Sequence, residues 1–281
     1  MDMSITVGVL GAHLREHEIS PERAVLLENL GYDTLWLDAS PPADLMLVQR
    51  LLDATSRMTV GTSVVNAWVA DAGTVAASYH RIAAAHPDRF LLGVGIGHRE
   101  VHVEYASPYT VLASYLDELI RNGVPADRIV VAALGPRMLR LARDRVAGSV
   151  PCMVTPEHTR RARELLGPGK LLLPGHFAVV DRDAARVRAA ARSAPPGTGL
   201  RVANYAANLR RLGFTEDDLD GNGSDRLIDA LVAHGDATAV AAQLRAHLDA
   251  GADHIGVYPV AADGDPIDVL AAVADAMNAA P

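Results

Sequence analysis

Short apolar stretches without clear periodicity alternate along the chain with segments of helical spacing. The first apolar stretch is ITVGVL at 5–10, and the helical segment after it begins at Ser20 and Pro21 and ends at Gly31. Such short apolar runs are typical of strands that are buried on both faces of a parallel sheet. The pattern therefore predicts repeated strand–helix units. Their strands are predicted at 5–10, 34–40, 59–68, 89–98, 128–135, 148–155, 171–180 and 253–260.

Eight strand–helix units are the number that a closed (β/α)8 barrel requires, and 281 residues fall within the usual length of that fold. An open doubly wound sheet is the alternative, but such sheets rarely use so many evenly spaced units. The longest connection joins the seventh and eighth strands and contains several helical patterns. We therefore expect one TIM-barrel domain over 1–281, with extra helices in that connection.

Composition and charge narrow the class of protein. The formal net charge is −8 and the chain has no basic run, which argues against nucleic acid as a partner. No apolar run approaches the roughly 20 residues that a membrane helix needs. The single cysteine, Cys152, cannot form an intrachain disulfide, and the N-terminus is not signal-like, so we expect a cytoplasmic protein. The 11 histidines lack the spacing of metal ligands, so no metal site is expected.

Three glycines, Gly93, Gly95 and Gly97, alternate through the predicted fourth strand. A dinucleotide-binding fingerprint would need G-x-G-x-x-G at the first strand–helix turn, whereas here the position of the third glycine is His98. Small inward residues near the carboxyl end of a barrel strand leave space for a planar ligand. Alternatively, they only allow larger neighbours to pack. The glycines alone leave both interpretations open.

Two longer stretches, TVGTSVVNAW at 59–68 and HPDRFLLGVGIGH at 86–98, resemble the core of the bacterial-luciferase-like superfamily between its third and fourth strands. More narrowly, they resemble the branch that uses the deazaflavin coenzyme F420. Further similar stretches follow in the right order over nearly the whole chain. They are ENLGYDTLWLD, VVAALGPRMLRLA, VTPEHTRRARELLG, NYAANLRRLGF and LDAGADHIGV.

This resemblance implies a (β/α)8 barrel that binds F420 and transfers a hydride between the deazaflavin carbon C5 and a small organic substrate. It also implies a homodimer. The alternatives are a monooxygenase of the same superfamily that uses FMN, and a barrel that binds a cofactor without turnover. A sugar-phosphate isomerase or lyase would share the phosphate site but usually needs a lysine or glutamate at a strand end. The only lysine, Lys170, precedes the seventh strand.

The resemblance assigns the residues that would hold the cofactor ring. The bond between Ser63 and Val64 matches a non-prolyl peptide that is often cis behind the ring in such proteins; the alternative is an ordinary trans strand. Asn66, at the end of the third strand, is expected to donate a hydrogen bond to a ring carbonyl. Gly95 and Gly97 are expected to form the bare backbone beside the ring.

The acid–base assignment depends on three positions. Asp38 matches an acidic residue at the polar edge of the cofactor. In sugar-phosphate-oxidising relatives the next position is often a catalytic histidine. Here it is Ala39, which argues against the oxidation of a sugar phosphate. His98 matches a proton-donating glutamate of some relatives and is the predicted catalytic residue, because imidazole titrates near neutrality. The predicted lining of the substrate pocket is His13, Trp68, His176 and Tyr258.

Two predicted helix N-termini are the candidates for binding the cofactor phosphate. Gly135, Pro136 and Arg137 begin the helix after the fifth strand, and Thr155 and His158 begin the helix after the sixth. Amide groups at a helix N-terminus bind anions, helped by the helix dipole. Alternatively, both are ordinary helix starts, which every barrel of this kind contains.

Overall fold

A computed structural model of the chain describes residues 6–97, 107–261 and 264–279. Within these ranges, the strands form one sheet whose ladders are parallel. The strands are β1 (Leu10–Arg15), β2 (Thr34–Asp38), β3 (Thr59–Ser63), β4 (Val65–Asn66), β5 (Phe90–Gly95), β6 (Ile129–Val131), β7 (Gly148–Ser149), β8 (Leu171–Leu172), β9 (Gly175–Val180), β10 (Val232–Gly235) and β11 (Ile255–Pro259).

The described α-helices follow the strands along the chain, and most of them cover the outside of the sheet. They are α1 (Pro21–Asn29), α2 (Met46–Ala54), α3 (Ala72–Ala85), α4 (Pro108–Arg121), α5 (Pro136–Arg145), α6 (Pro156–Leu166), α7 (Ala184–Ser193), α8 (Pro195–Thr198), α9 (Ala203–Arg211), α10 (Glu216–Leu219), α11 (Asp225–Leu231), α12 (Ala237–Asp249) and α13 (Pro266–Ala279). None of these helices is long and apolar enough to cross a membrane.

The sheet closes into a barrel around Pro174. On one side, the Leu173 amide donates to the Ser149 carbonyl at 2.9 Å; on the other, the Gly256 amide donates to the Pro174 carbonyl at 2.9 Å. Strands β8 and β9 are therefore two halves of one barrel strand, which pairs first with β7 and then with β11. Similarly, β3 and β4 are the two halves of the third strand. The predicted (β/α)8 barrel is confirmed.

The predicted strands at 128–135 and 148–155 are shorter in the structure, at Ile129–Val131 and Gly148–Ser149, and two further differences are larger. The first strand was predicted at 5–10 but runs from Leu10 to Arg15. Residues 6–9, the described residues before it, lie outside any strand; Gly8 has a φ of 61°, and the Asp33 carboxylate accepts hydrogen bonds from the amides of Val9 and Leu10. A side chain on Gly8 would overlap Asp33. Because of this shift, His13 lies within β1 instead of beyond it.

The second difference is β10, a strand on β9 at the edge opposite β11. Its sequence, VAHG, was predicted as the end of the helix that the structure shows as α11. The predicted extra helices of the long connection are present as α7 to α11, and α12 follows β10. Helices α8 and α9 bring this connection over the carboxyl ends of the barrel strands, where their residues line the cavity described next.

Candidate active site

A cavity of about 1310 Å³ opens at the carboxyl ends of the barrel strands. Residues at the ends of β2, β3, β4, β5 and β11 line it, together with the segments that follow β6 and β7 and helices α8 and α9. Active sites of (β/α)8 enzymes lie at this face. Because ligand pockets usually measure about 300–1,000 Å³, this cavity has room for a tricyclic ring and a second small molecule.

The floor of the cavity contains the Ser63–Val64 peptide bond, which is cis. The neighbouring glycines serve the packing of this segment. A Cβ on Gly93 would overlap the Thr62 carbonyl, and a Cβ on Gly95 would lie 2.5 Å from Cγ2 of Val64. The glycines thus allow the third barrel strand and Val64 to pack against β5, as in the packing interpretation.

The surface beside Val64 nevertheless stays open. Gly95 and Gly97 line the cavity, and so does Ala132, whose small side chain is exposed to it. The Ala132 methyl group lies 3.3 Å from the place that a Cβ on Gly95 would take. Val64 and Ala132 therefore present neighbouring apolar side chains to the cavity, and we call this surface the cavity bed.

A carboxyl and two hydroxyl groups meet at one edge of the bed. The Tyr258 hydroxyl lies 3.5 Å from Asp38 Oδ1 and 3.3 Å from Ser63 Oγ. Burial raises the pKa of Asp38 from 3.8 to about 6, against the opposing effects of the Ala39 amide and the Arg15 guanidinium, whose Nε is 3.9 Å from Oδ2. Asp38 is thus able to exchange a proton near neutrality.

Tyr258 is held by ring packing inside the barrel. Its ring stacks on His13 with centroids 3.9 Å apart and also contacts Phe177 at 5.0 Å. A Cβ on Gly175 would overlap the Tyr258 ring, so this glycine makes room for it. His13 is buried, and among the described residues neither of its ring nitrogens has a hydrogen-bond partner. Burial, with a smaller contribution from His254, lowers its pKa, so His13 is neutral.

Cys152 and Tyr205 form a second polar pair in the cavity wall, with Sγ and the hydroxyl 3.1 Å apart. Burial raises the pKa of the Cys152 thiol to about 11. The thiol is therefore neutral at physiological pH and unsuited to act as a nucleophile. Both groups act in the cavity as neutral hydrogen-bonding partners.

An arginine of α9 that was not assigned from the sequence lies beside the N-terminus of α5. Arg211, the last residue of α9, lines the cavity, and its Nη2 lies 3.5 Å from the place that a Cβ on Gly135 would take. Gly135 is the N-cap of α5, and Asn208 accepts a hydrogen bond from the same guanidinium at 3.3 Å. A guanidinium beside the positive end of a helix dipole favours an anionic group.

Residues 12–121 match the family model described as luciferase-like monooxygenase. The luciferase-like resemblance is confirmed. A search of curated proteins found no match.

The fold is shared by solved structures at low sequence identity. One is an F420-dependent secondary alcohol dehydrogenase in complex with an F420–acetone adduct, with 14% identity over 97% of this chain and 99% of that chain and a TM-score of 0.74. Another is a coenzyme F420-dependent tetrahydromethanopterin reductase from Methanopyrus kandleri, with 14% identity, coverages of 97% and 99% and a TM-score of 0.69. A third is the oxygenating constituent of 3,6-diketocamphane monooxygenase from Pseudomonas putida in complex with FMN, with 14% identity, coverages of 95% and 97% and a TM-score of 0.65.

Most residues assigned from the luciferase-like resemblance lie together in the cavity. The lining residues among them are His13, Asp38, Ser63, Val64, Asn66, Gly95, Gly97, Gly135 and Tyr258. Asn66 is buried, and its side-chain oxygen accepts a hydrogen bond from the Trp68 amide at 3.0 Å. Sequence reasoning missed Tyr205 and Arg211, although the stretch NYAANLRRLGF that contains both was singled out. It also gave Cys152 no place in the site.

The predicted second helix N-terminus, at α6, lies outside the cavity lining. Thr155 is buried and caps the helix by accepting a hydrogen bond from the His158 amide at 3.4 Å. The His158 ring nitrogen Nε2 lies 2.9 Å from the carbonyl of Leu134, a residue that lines the cavity. These contacts are those of an ordinary helix start, and they position the segment before α5.

Other predicted residues also lie away from the cavity lining. Pro136 and Arg137 are exposed in the first turn of α5, and the Arg137 guanidinium lies 4.0 Å from the centroid of the Tyr109 ring. Trp68 is half-buried in the turn after β4. The predicted catalytic residue His98 lies outside the described residues. Within the described ranges, no group of three or more histidine, cysteine or acidic side chains is arranged to hold a metal ion.

His176 points away from the cavity because it lies next to Gly175, an inward position of β9. Its Nδ1 lies 3.1 Å from Nε2 of His247 on α12, and the Thr159 hydroxyl lies 2.8 Å from Nδ1 of the same His247. Burial lowers the pKa of His176 to about 4. These groups form a buried, neutral hydrogen-bonded chain that joins β9 to α6 and α12.

Replacement of Asp38 by asparagine is expected to stabilise the protein above pH 6. The native pKa of about 6 lies above the ordinary value of 3.8. The native state therefore binds the proton more tightly, and the free energy of unfolding falls as the pH rises from about 4 to 6. Asparagine avoids this loss, so Asp38→Asn should gain about 2 kcal/mol at pH 7.5 and nothing at pH 3.5. Urea unfolding at both pH values, with exposed Asp249→Asn as control, measures the difference.

Proposed function

We propose that the protein is a coenzyme F420-dependent oxidoreductase that transfers a hydride between the deazaflavin and a small organic substrate. One observation carries the proposal. A single cavity combines an apolar bed at Val64 and Ala132, a carboxyl group at Asp38 and an arginine, Arg211, beside a helix N-terminus. This combination fits a ligand that has a tricyclic ring, a polar edge and an anionic tail. Two solved structures of the same fold are F420-dependent enzymes by their descriptions.

The residues present fit a flavin-like cofactor. Val64 and Ala132 would contact one face of the ring, Asp38 would lie at its polar edge, and Arg211 with the start of α5 would bind the phosphate. When bound, a deazaflavin supplies a ring carbon that accepts or donates a hydride. The chain itself orients both reactants and excludes water, which together remove much of the entropic cost of bringing them into contact. His98, predicted from the sequence as the catalytic residue, lies outside the described residues and remains one candidate for the proton-transferring group. The homodimer and the cytoplasmic location also stay predictions.

An FMN-dependent monooxygenase is the second candidate function, because the solved monooxygenase of this fold holds FMN. Calorimetric titration of the purified protein with oxidised F420 and with FMN separates the two candidates. The proposal expects saturable binding of one F420 per chain, tighter than the binding of FMN. Tighter binding of FMN, with oxygen consumption by the reduced complex, would favour the monooxygenase.

Arg211→Ala is expected to weaken F420 binding about tenfold or more, because a charged group then loses its hydrogen-bonded partner. The binding of the F420 chromophore without its phosphate should change by less than twofold. The neighbouring Arg210 provides a matched control, since it is exposed and paired with Glu216 on the outside of the chain. Calorimetry on Arg210→Ala should reproduce the wild-type affinities. Equal losses for both ligands would show that Arg211 does not bind the phosphate.

A further inference from the structure

We propose that Tyr258, oriented by Asp38 and Ser63, binds the oxygen atom of a neutral ketone or secondary alcohol and exchanges the proton of the reaction with it. This inference rests on the proposed function and names its substrate class and its proton-transferring group. The three side chains come from β11, β2 and the end of β3. Because parallel strands end at the same face of the barrel, these distant positions converge beside the cavity bed.

The position of the Tyr258 hydroxyl is fixed by packing inside the barrel. Its ring lies between His13 and Phe177, in space that Gly175 leaves free. Neutral His13 stacks on the ring face and has no described hydrogen-bond partner, so its contact with Tyr258 is one of packing. The hydroxyl is therefore held at one position in the cavity wall. It lies 3.5 Å from Asp38 Oδ1 and 3.3 Å from Ser63 Oγ. Such distances in a ligand-free site often shorten when the substrate binds.

The surroundings of Tyr258 favour an uncharged substrate. Phe177, Met153 and Val260 supply apolar walls, and Cys152 and Tyr205 supply neutral hydrogen-bonding groups. Among the described lining residues, Arg15 and Arg211 are the two arginines, and the lining includes no lysine. Arg15 lies against Asp38, and Arg211 lies beside the start of α5. Both described arginines of the lining are thus placed beside other groups, so the site at Tyr258 offers no dedicated cation for a substrate carboxylate or phosphate, whose burial without a partner is costly.

The proton transfer balances in both directions. In reduction, the carbonyl carbon gains a hydride with both electrons from the reduced deazaflavin as the C=O π bond breaks. The oxygen takes the proton of the Tyr258 hydroxyl, the Asp38 carboxyl returns a proton to Tyr258, and the Asp38 carboxylate regains a proton from water. In oxidation, the alcohol proton passes to Tyr258 and from Tyr258 to the Asp38 carboxylate, while the hydride leaves for the oxidised deazaflavin. Asp38 thus acts through Tyr258 and is a positioning residue.

The titration of Asp38 depends on several charged or titratable neighbours. Arg15 and Glu18 face it from β1 and the 3-10 helix after β1, Tyr258 faces it from β11, and Cys152 and Tyr205 act on the same cluster from the cavity wall. With a native pKa of about 6, Asp38 loses its proton as the pH rises through that value. The kcat of alcohol oxidation should therefore rise through pH 6, and this rise should be absent in Asp38→Asn.

The test uses the F420-loaded full chain with propan-2-ol, cyclohexanol and their ketones as probes. Tyr258→Phe should lower kcat/KM about 100-fold or more, the size expected for loss of a general acid or base. F420 affinity should stay within twofold of wild type. Tyr115→Phe is the matched control, because the Tyr115 hydroxyl is buried on α4 without a described hydrogen-bond partner. It should leave the kinetics unchanged.

A second readout does not depend on turnover. Isobutyramide, an unreactive carbonyl compound, is titrated calorimetrically into the F420-loaded protein, or into the free protein if F420 does not bind. Its binding should weaken about tenfold in Tyr258→Phe, because the hydrogen bond to its oxygen is lost.

The outcomes separate this inference from the proposed function. Wild-type protein that binds neither F420 nor FMN contradicts the proposed function. Normal F420 binding with full activity in Tyr258→Phe and lost activity in His98→Ala assigns the proton transfer to His98 and overturns the inference. If isobutyramide fails to bind, or binds equally well to Tyr258→Phe, the substrate-binding role of Tyr258 is also overturned.

Discussion

Ala132→Trp is expected to weaken F420 binding by at least about 100-fold, which corresponds to about 2.7 kcal/mol of binding free energy. The Ala132 side chain is exposed in the cavity beside Gly95 and Val64, so an indole ring at this position would cover the cavity bed. The cost to folding should be small, because the new side chain extends into the cavity instead of the packed core. Calorimetric titration and urea unfolding measure the two effects separately.

Ala242→Trp serves as the control for this substitution, since Ala242 is exposed on α12, away from the cavity lining. It adds the same side chain without covering the bed, and its F420 affinity should equal that of wild type. Wild-type affinity in Ala132→Trp would mean that the ring binds elsewhere, and the assignment of the bed would then fail.

The second large effect is a loss of stability in Glu28→Gln. Glu28 is 5% exposed at the end of α1, and its carboxylate accepts hydrogen bonds from the amides of Ser56, Arg57 and Met58 at 2.8–3.1 Å. Burial alone would raise its pKa, but these hydrogen bonds outweigh burial and lower the pKa from 4.5 to about 2. An amide side chain places an NH2 group against backbone donors, so we expect a loss of about 3 kcal/mol at pH 7.

The pH dependence of this loss has a definite sign. Since the native pKa of Glu28 is depressed, its contribution is complete above about pH 4.5 and disappears as the pH falls through about 2. Urea unfolding of wild type and Glu28→Gln should thus give curves that converge at low pH. Exposed Glu118→Gln should match wild type throughout. A constant difference from pH 7 down to pH 2.5 would contradict the role of the ionised carboxylate.

Glu28 also illustrates how a distant residue positions the site. The segment 56–58 that it holds leads directly into β3, which ends at Ser63 beside Tyr258. Because side chains alternate between the two faces of a strand, the register of β3 decides which residues face the cavity. The same hydrogen bonds that stabilise the fold thereby help to place Ser63 and Val64 at the cavity floor.

The barrel was predictable because its signal is local and repeated. Most buried strands lie within a short apolar run, and several helices begin with a recognisable cap such as Ser20 or Thr155. The first strand was misplaced because the described residues before Leu10 lie outside any strand, in a segment held by Asp33, which follows α1. Strand β10 was missed because its residues continue a helical pattern, whereas its pairing depends on an extended β9.

The residues of the candidate site that lie at strand ends were predictable from the sequence. Asp38, Ser63 and Tyr258 each occupy such an end, so closure of the barrel brings them together. Arg211 and Tyr205 were missed because counting strands does not indicate where the helices of a long connection lie. His176 was assigned to the wrong face since the break at Pro174 hides the alternation of β9, and its neighbour Gly175 points inward instead.

A crystal structure of the protein grown with saturating oxidised F420 tests the central claim most directly. The account predicts the tricyclic ring against Val64 and Ala132, with its polar edge near Asp38 and its phosphate near Arg211. A ring bound at any other place, or a cavity whose side chains close over the Ser63–Val64 bond and leave no space for a ring, would contradict it.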